Sequence, residues 1–341
     1  MIVKEVFFVS IWRIKMKTIQ LSKFGGPEVL EYKDISEPEP AADEVRVQLH
    51  ASGINPSEIY IRTGTYSLYT PELPYIPGFD GAGIVEAVGE NVRRLKSGDR
   101  VFLAALMAKK NTGTYAQKVV CDVNSVHLLP NSFSFQEGAA LGIPALTAYR
   151  ALFHRAKVKA GETVLVHGAS GGVGLLTVQM AVGIGATVIG TASTEEGKAL
   201  VKASGASFVL NHLEEESLKD VFSFTNGKGP DVIIEFLANA NLETDMKAIA
   251  PFGRIVVVGN RGTIEINPRM AMMKESDILG MTLWNTPEKE YNESLYGITA
   301  FLQTGVLQPQ IGKEFSLQNA KEAHQYIMNQ NAKGKIILTM N

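Results

Sequence analysis

In the first half of the chain, apolar and polar residues alternate. Glu44–Ser52 follows the period-2 pattern of a strand with one buried face. Gly83–Val88 and Arg100–Leu103 continue it, with turns at Gly89-Glu90-Asn91 and Ser97-Gly98-Asp99. Val119–Val126 and His127–Leu129 read as further short strands. Prolines 38, 40, 56, 71, 74 and 77 punctuate the loops. This pattern predicts a compact β-rich domain. Near residue 135 the period changes: Gln136–His154 has helical spacing, and Thr163–His167 is a continuous apolar strand. Short apolar runs at Thr187–Thr191, Phe208–Asn211, Asp231–Phe236, Arg254–Gly259 and Ile278–Leu283 then alternate with helical stretches around 172–183, 195–204, 214–224 and 242–250. Such alternation predicts a doubly wound parallel sheet, covered by helices on both faces.

The chain has 341 residues, more than one domain usually holds, and its composition is that of a protein with a substantial core. A formal charge of −2 gives no field for drawing in nucleic acid or an anionic membrane. The single cysteine, Cys121, can neither close an internal disulfide nor build a four-cysteine zinc lobe. A reducing compartment fits, with cytoplasm the simplest choice. No apolar run approaches the ~20 residues a spanning helix needs. Residues 1–15 carry an apolar patch, Val6–Trp12, between Lys4 and Arg13, and no small-residue cleavage site follows it. We expect this segment to be an appendage outside the catalytic fold; a targeting segment and an extra packing strand are the alternatives.

The sharpest local signal is Val164–Gly174, in which a strand runs into Gly168-x-x-Gly171-x-x-Gly174 and a helix follows. Glycines there allow a tight turn and close approach to a pyrophosphate, and the helix N-terminus offers unpaired N–H groups to its charge. The strand before and the helix after favour a dinucleotide site over an ordinary tight βα turn. In NAD-binding folds a carboxylate about 20 residues past the glycines holds the ribose. Here Ile189–Ser193 has none at its tip, Ala192 lying 18 residues beyond Gly174. Ser193 and Lys198 are placed to receive a 2′-phosphate, provided Glu195 and Glu196 point to solvent. NADPH is therefore expected over NADH.

Ile76–Glu90 and Leu95–Val101 resemble the medium-chain dehydrogenase/reductase superfamily. Where its zinc alcohol dehydrogenases carry Gly-His-Glu, this chain has Gly78-Phe79-Asp80. In place of their upstream catalytic cysteine stands Ser52-Gly53-Ile54-Asn55-Pro56-Ser57. A lone Asp80 cannot build a zinc site, so no metal is expected, and alcohol dehydrogenation loses its Lewis acid. Within the superfamily, Gly53–Tyr66, Leu141–Arg150, His167–Gly174 and Val258–Arg269 resemble the zeta-crystallin-like NADPH:quinone oxidoreductases, with a likeness running from about Met16 to the C-terminus.

The resemblance implies a GroES-like substrate domain (16–139 and 284–341) interrupted by a Rossmann domain (140–283). It implies cofactor contacts at Tyr60 and Thr147, and at Gly168, Ser170, Gly171, Gly172, Val173 and Gly174 of the turn. Ser193 and Lys198 would border the 2′-phosphate, and His212 and Asn241 would follow the third and fourth strands. Val258, Gly259, Asn260 and Arg261 would end the fifth, with Met281, Thr282 and Leu283 passing the nicotinamide edge. Plainer readings stay open: His212 as a loop residue, Arg261 as a surface ion-pair partner, Tyr60 and Tyr66 as packing aromatics. For catalysis, Asn55, Tyr60 and Tyr66 are expected to line the acceptor space, with Tyr60 the foremost hydrogen-bond donor and Asn55 the second. A tyrosine hydroxyl, with an ordinary pKa of about 10, suits donation better than proton release at neutral pH.

Three functions follow for comparison: a quinone reductase, a zinc-free 2-alkenal or enoyl reductase, and a non-catalytic NADPH-binding protein, to which RNA association would belong. The absence of a basic stretch argues against the last binding RNA strongly. The resemblance also implies a homodimer or homotetramer, with the apolar run Ile278–Leu283 available at a sheet edge.

Overall fold

In the computed structural model, residues 15–214, 217–329 and 333–340 are described. The apolar patch Val6–Trp12 lies outside them. The front of the chain forms β1 (Lys15–Gln20), β2 (Glu31–Ser36), β3 (Glu44–Ile54), α1 (Pro56–Thr63), β4 (Asp80–Val88), β5 (Arg100–Ala104), β6 (Lys118–Asp122) and β7 (Val126–Leu128). Next come α2 (Phe135–Ala139) and α3 (Gly142–Tyr149). The middle then alternates: β8 (Thr163–Val166), α4 (Gly172–Gly183), β9 (Thr187–Thr191), α5 (Glu195–Ala203), β10 (Phe208–Leu210), α6 (Ser217–Phe224), β11 (Val232–Glu235), α7 (Ala238–Ala248), β12 (Arg254–Val257), α8 (Arg269–Lys274) and β13 (Asp277–Gly280). The chain closes with α9 (Glu288–Gln303), β14 (Ile311–Ser316), α10 (Ala320–Asn329) and β15 (Lys335–Thr339).

The middle strands form one parallel sheet in the order β10-β9-β8-β11-β12-β13. The order reverses beside β8, so a crevice opens at its C-terminal end, where open α/β sheets bind ligands. Val164, Val166, Val232, Ile234 and Val256 are buried toward one layer of helices, and Leu165, Ile189, Ile233 and Ile255 toward the other. That burial on both faces explains the unbroken apolar runs of these strands.

The second sheet runs β14-β15-β3-β4-β5-β7, with β6 also paired to β3. The C-terminal β15 therefore returns to the front domain, where Ile336 lies opposite Ile54 and Ile337 opposite Gly53. This is a Rossmann sheet inserted into a β-rich GroES-like fold.

Several expected elements are corrected. The continuous helix over Gln136–His154 is broken into α2, α3 and a wider π-turn at Arg150–Arg155. Pro144 has no N–H with which to continue the ladder through Ala140, and Asp80 takes the N–H of Ile143 instead, at 2.7 Å. The run Val119–Val126 is interrupted by a tight turn at Val123–Ser125. The last parallel strand ends at Gly280 rather than Leu283, because Arg150 captures the carbonyl of Thr282 at 2.5 Å and the chain turns at Leu283–Asn285.

Candidate active site

The glycine-rich turn has the three roles its spacing demands. Gly168 takes φ +51 with open space where a Cβ would stand. Gly171 caps α4, and a Cβ on it would meet only the Gly168 carbonyl oxygen, at an ordinary contact distance of 3.5 Å. A Cβ on Gly174 would stand 2.5 Å from the carbonyl oxygen of Gly168, so only glycine lets the helix seat against the strand. The turn is anchored through Gly168 N–H to Thr191 Oγ1 at 3.0 Å. Twelve residues of α4 then direct their N-terminal amides at the crevice, a cradle suited to pyrophosphate.

Most of the other expected cofactor residues lie at the C-terminal ends of the same strands, while Thr147 and Tyr60 lie on α3 and α1. Ser193 follows β9, the exposed His212 follows β10, and Asn241 on α7 donates to Glu235 at 3.1 Å. Val258 and Gly259 are held by N–H bonds to the Glu235 carbonyl at 2.8 and 3.2 Å. Asn260 and Arg261 are exposed, and the Arg261 N–H donates to Asn239 at 2.8 Å. Met281 N–H is already committed to Val257, and Leu283 is buried. Val173 is half-buried at the start of α4, and Thr147 is buried on α3. Glu195 is 91% exposed, yet it pairs with Lys198 at 2.9 Å, while Glu196 pairs with Lys333.

Beneath these strand ends lies a cluster that sequence reasoning missed. His167 donates to Asp245 at 2.7 Å, with Glu235 at 3.5 Å. Burial opposes charge on His167, but the carboxylates of Asp245 and Glu235 hold its pKa above the usual value. Burial lifts Glu235 to about 7. Strand spacing gave no sign of it, since Asp245 arrives from α7.

On the acceptor side, α1 carries Tyr60. Pro56 opens the helix, Glu58 reaches back to the Asn55 N–H at 2.5 Å, and Gly64 closes it in a left-handed turn. Tyr60 is half-buried, and its hydroxyl bonds to no described residue. Tyr66 lies just beyond, its hydroxyl accepting the indole N–H of Trp284 at 3.0 Å. Burial raises the Tyr66 pKa, keeping the phenol protonated and able to donate. Tyr69 stacks on Trp284 at 5.0 Å, and Phe79 meets the same indole edge-on at 6.0 Å. These rings make an aromatic cluster, of which only Tyr66 was expected at the acceptor space.

Asn55 is placed differently from expectation. Its Nδ2 donates to Asp80 at 2.8 Å and to Glu58 at 3.2 Å, and its Oδ1 accepts from Lys335 Nζ at 2.5 Å. Both ends of the amide are taken, so Asn55 has no donor left for an acceptor oxygen. Lys335 also bonds Asp80 at 2.9 Å, both side chains shut from solvent. Burial pushes Glu58 up to about 8. At the zinc-ligand positions, then, Phe79 offers no donor atom, while Asn55 and Asp80 are bonded to an ammonium. This set does not fit a catalytic zinc ion.

Two family models match the chain: an alcohol dehydrogenase GroES-like domain over residues 41–131 and a zinc-binding dehydrogenase over 172–298. A human quinone oxidoreductase is 46% identical over 327 residues, covering 95% of this chain and 98% of that protein. A Pseudomonas aeruginosa quinone oxidoreductase is 34% identical, with 94% and 99% covered. Among solved structures, Escherichia coli quinone oxidoreductase complexed with NADPH aligns at a TM-score of 0.84 and 30% identity, covering 95% of this chain and 99% of that one.

Proposed function

The chain belongs to the quinone oxidoreductases of the medium-chain dehydrogenase/reductase superfamily, and we propose that it reduces a quinone or another conjugated carbonyl with NADPH, without a metal. The protein is an oxidoreductase built to hold a nicotinamide cofactor. The observation that carries the fuller reading is the pairing of an open glycine cradle with an aromatic cleft whose metal positions are filled by a buried ion pair.

Gly168, Gly171 and the N-terminal amides of α4 would hold the pyrophosphate, and Ser193 and Lys198 would border the 2′-phosphate. Bound there, NADPH supplies hydride. Tyr60, Thr147, Ser170, His212, Asn241, Val258, Gly259, Asn260, Arg261, Met281, Thr282 and Leu283 are the remaining cofactor positions of this reading. On the acceptor side, the parallel rings of Tyr69 and Trp284, backed edge-on by the buried Phe79, suit a planar ring. Tyr60 and Tyr66 then donate hydrogen bonds to the oxygen on which negative charge develops. A quinone or enone delocalises that charge itself, so placement and two donors serve where an alcohol would need a Lewis acid.

The domain limits of the reading are 16–139 with 284–341, and 140–283. The edge strand β13, with Ile278 exposed, supports association of identical subunits. No described helix is long and apolar enough to cross a membrane, and cytoplasm is the compartment proposed. The test is NADPH turnover against a panel of quinones, 2-alkenals and enoyl thioesters. Quinones are expected to turn over fastest. Preference for thioesters would move the assignment to enoyl reduction, and binding of NADPH without any turnover would remove the enzyme.

A further inference from the structure

The zinc-binding family model and the donor set disagree, and what fills the gap is specific. Lys335 opens β15 and is 4% exposed, against 0% for Asp80. Its stem runs between two glycines. A Cβ on Gly53 would stand 2.6 Å from Lys335 Cε, and one on Gly172 would stand 3.4 Å from Lys335 Cδ. One of these glycines belongs to the acceptor-side strand β3 and the other to the pyrophosphate turn.

The neighbouring residues repeat the bridge. Gly334 N–H donates to the Ser170 carbonyl at 2.8 Å, and Gly334 pairs with Gly171 as an isolated parallel bridge. Lys333 pairs with Glu196 on α5. Three consecutive residues thus join the cofactor-side turn and helix to the cleft. At the cleft end, Asp80 gathers donors from three elements: Asn55 at the start of α1, Lys335 on β15 and the Ile143 N–H on α3. These elements carry Tyr60, the returning strand and Thr147.

We propose that Lys335 is a positioning residue: its buried ammonium stands in for the metal of the zinc-dependent relatives and locks the pyrophosphate turn against the acceptor cleft. It touches neither substrate nor cofactor chemistry directly; it acts through Asn55, Asp80 and the turn. A bare stability role would need only a filled slot. A positioning role needs the charge and both partners, because a cofactor held a fraction of an ångström out of place costs rate more than fold.

The inference rests on the NADPH-dependent reading above. Its test uses Lys335→Met and the neutralised pair Asp80→Asn/Lys335→Met in the full chain. Thermal midpoint, NADPH affinity by fluorescence titration and kcat with a quinone are measured beside the wild type. Lys335→Met leaves the buried Asp80 carboxylate without its counter-charge and is expected to lower the midpoint. The double variant is expected to recover the midpoint, yet to bind NADPH several-fold more weakly and to lose kcat by about a hundredfold. Recovery of all three by the double variant would overturn the proposal and leave Lys335 a stability element. If both variants fail to fold, Lys335→Arg decides: it keeps charge in a slot fitted to a slimmer head, and unchanged NADPH affinity and kcat would refute the positioning role. A wild type that binds NADPH but reduces no quinone would sink the functional reading alone, since the affinity comparison still tests Lys335.

Discussion

Trp284 donates its indole N–H to the Tyr66 hydroxyl at 3.0 Å, joining residues 218 positions apart in the chain. Because the Tyr66 oxygen is already accepting, its own O–H is free to point elsewhere, and burial keeps the phenol protonated. The same indole stacks on Tyr69, so one residue sets both the stacked rings and the orientation of a donor.

Trp284→Phe should preserve much of the stack and release Tyr66. We expect kcat/KM for a quinone to fall by about three- to tenfold, the scale of one hydrogen bond, with NADPH affinity unchanged. Tyr60→Phe should lower the same quantity by a comparable factor. Steady-state kinetics at saturating NADPH measure both. If Tyr60→Phe and Tyr66→Phe together leave kcat/KM intact, the two tyrosines are packing aromatics.

Asn55→Ala removes partners from Asp80, Glu58 and Lys335 at once. Buried groups left unpaired cost about 1–3 kcal/mol each, so the chief effect should be a lowered denaturation midpoint. A variant as stable as wild type but selectively slow in quinone reduction would return Asn55 to the acceptor site.

Stability should vary with pH through four buried groups. Burial lowers His127 and His324 from 6.5 to about 3. Below 6.5 the unfolded chain binds protons that the fold refuses, so these two lose stability as pH falls toward 3. Burial instead raises Glu58 from 4.5 to about 8 and Glu235 to about 7. The fold keeps protons that the unfolded chain releases, so these two lose stability as pH rises from 4.5 to their folded values. Each group contributes at most about 1.4 kcal/mol per pH unit. The pairs offset one another between 4.5 and 6.5, with losses on either side. Thermal midpoints across pH 4 to 8.5 check this, and Glu58→Gln should flatten the alkaline decline. An unaltered decline in that variant would mean that Glu58 is ionised in the fold.

Cofactor choice should rest on Lys198, the ammonium nearest the end of β9 in this reading, which pairs with the exposed Glu195. Lys198→Ala is expected to raise KM for NADPH by about tenfold or more, the scale of a charge-assisted contact, and to leave NADH unaffected. Equal changes for both cofactors would place the 2′-phosphate elsewhere.

Much of this was legible before the structure. The Gly168–Gly174 turn and the alternation after residue 163 depend on local backbone needs, and local needs leave sequence signatures. The strand-end positions of His212, Asn241 and Gly259 came with the family likeness. The ion pair of Asp80 and Lys335 was not legible, because its partners are 255 residues apart and only the return of β15 beside β3 joins them. Asn55 was misjudged for the same reason: a polar residue at a former ligand position looked free until its buried neighbours were known. The break before α3 had a local cause in Pro144, but its capture by Asp80 is again long-range.

The most direct test of the central claim is oxidation of NADPH, compared with NADH, by a simple quinone, followed at the nicotinamide absorbance with and without a metal chelator. The account predicts turnover that prefers NADPH and is indifferent to the chelator. Activity that the chelator abolishes, and added zinc restores, would contradict it.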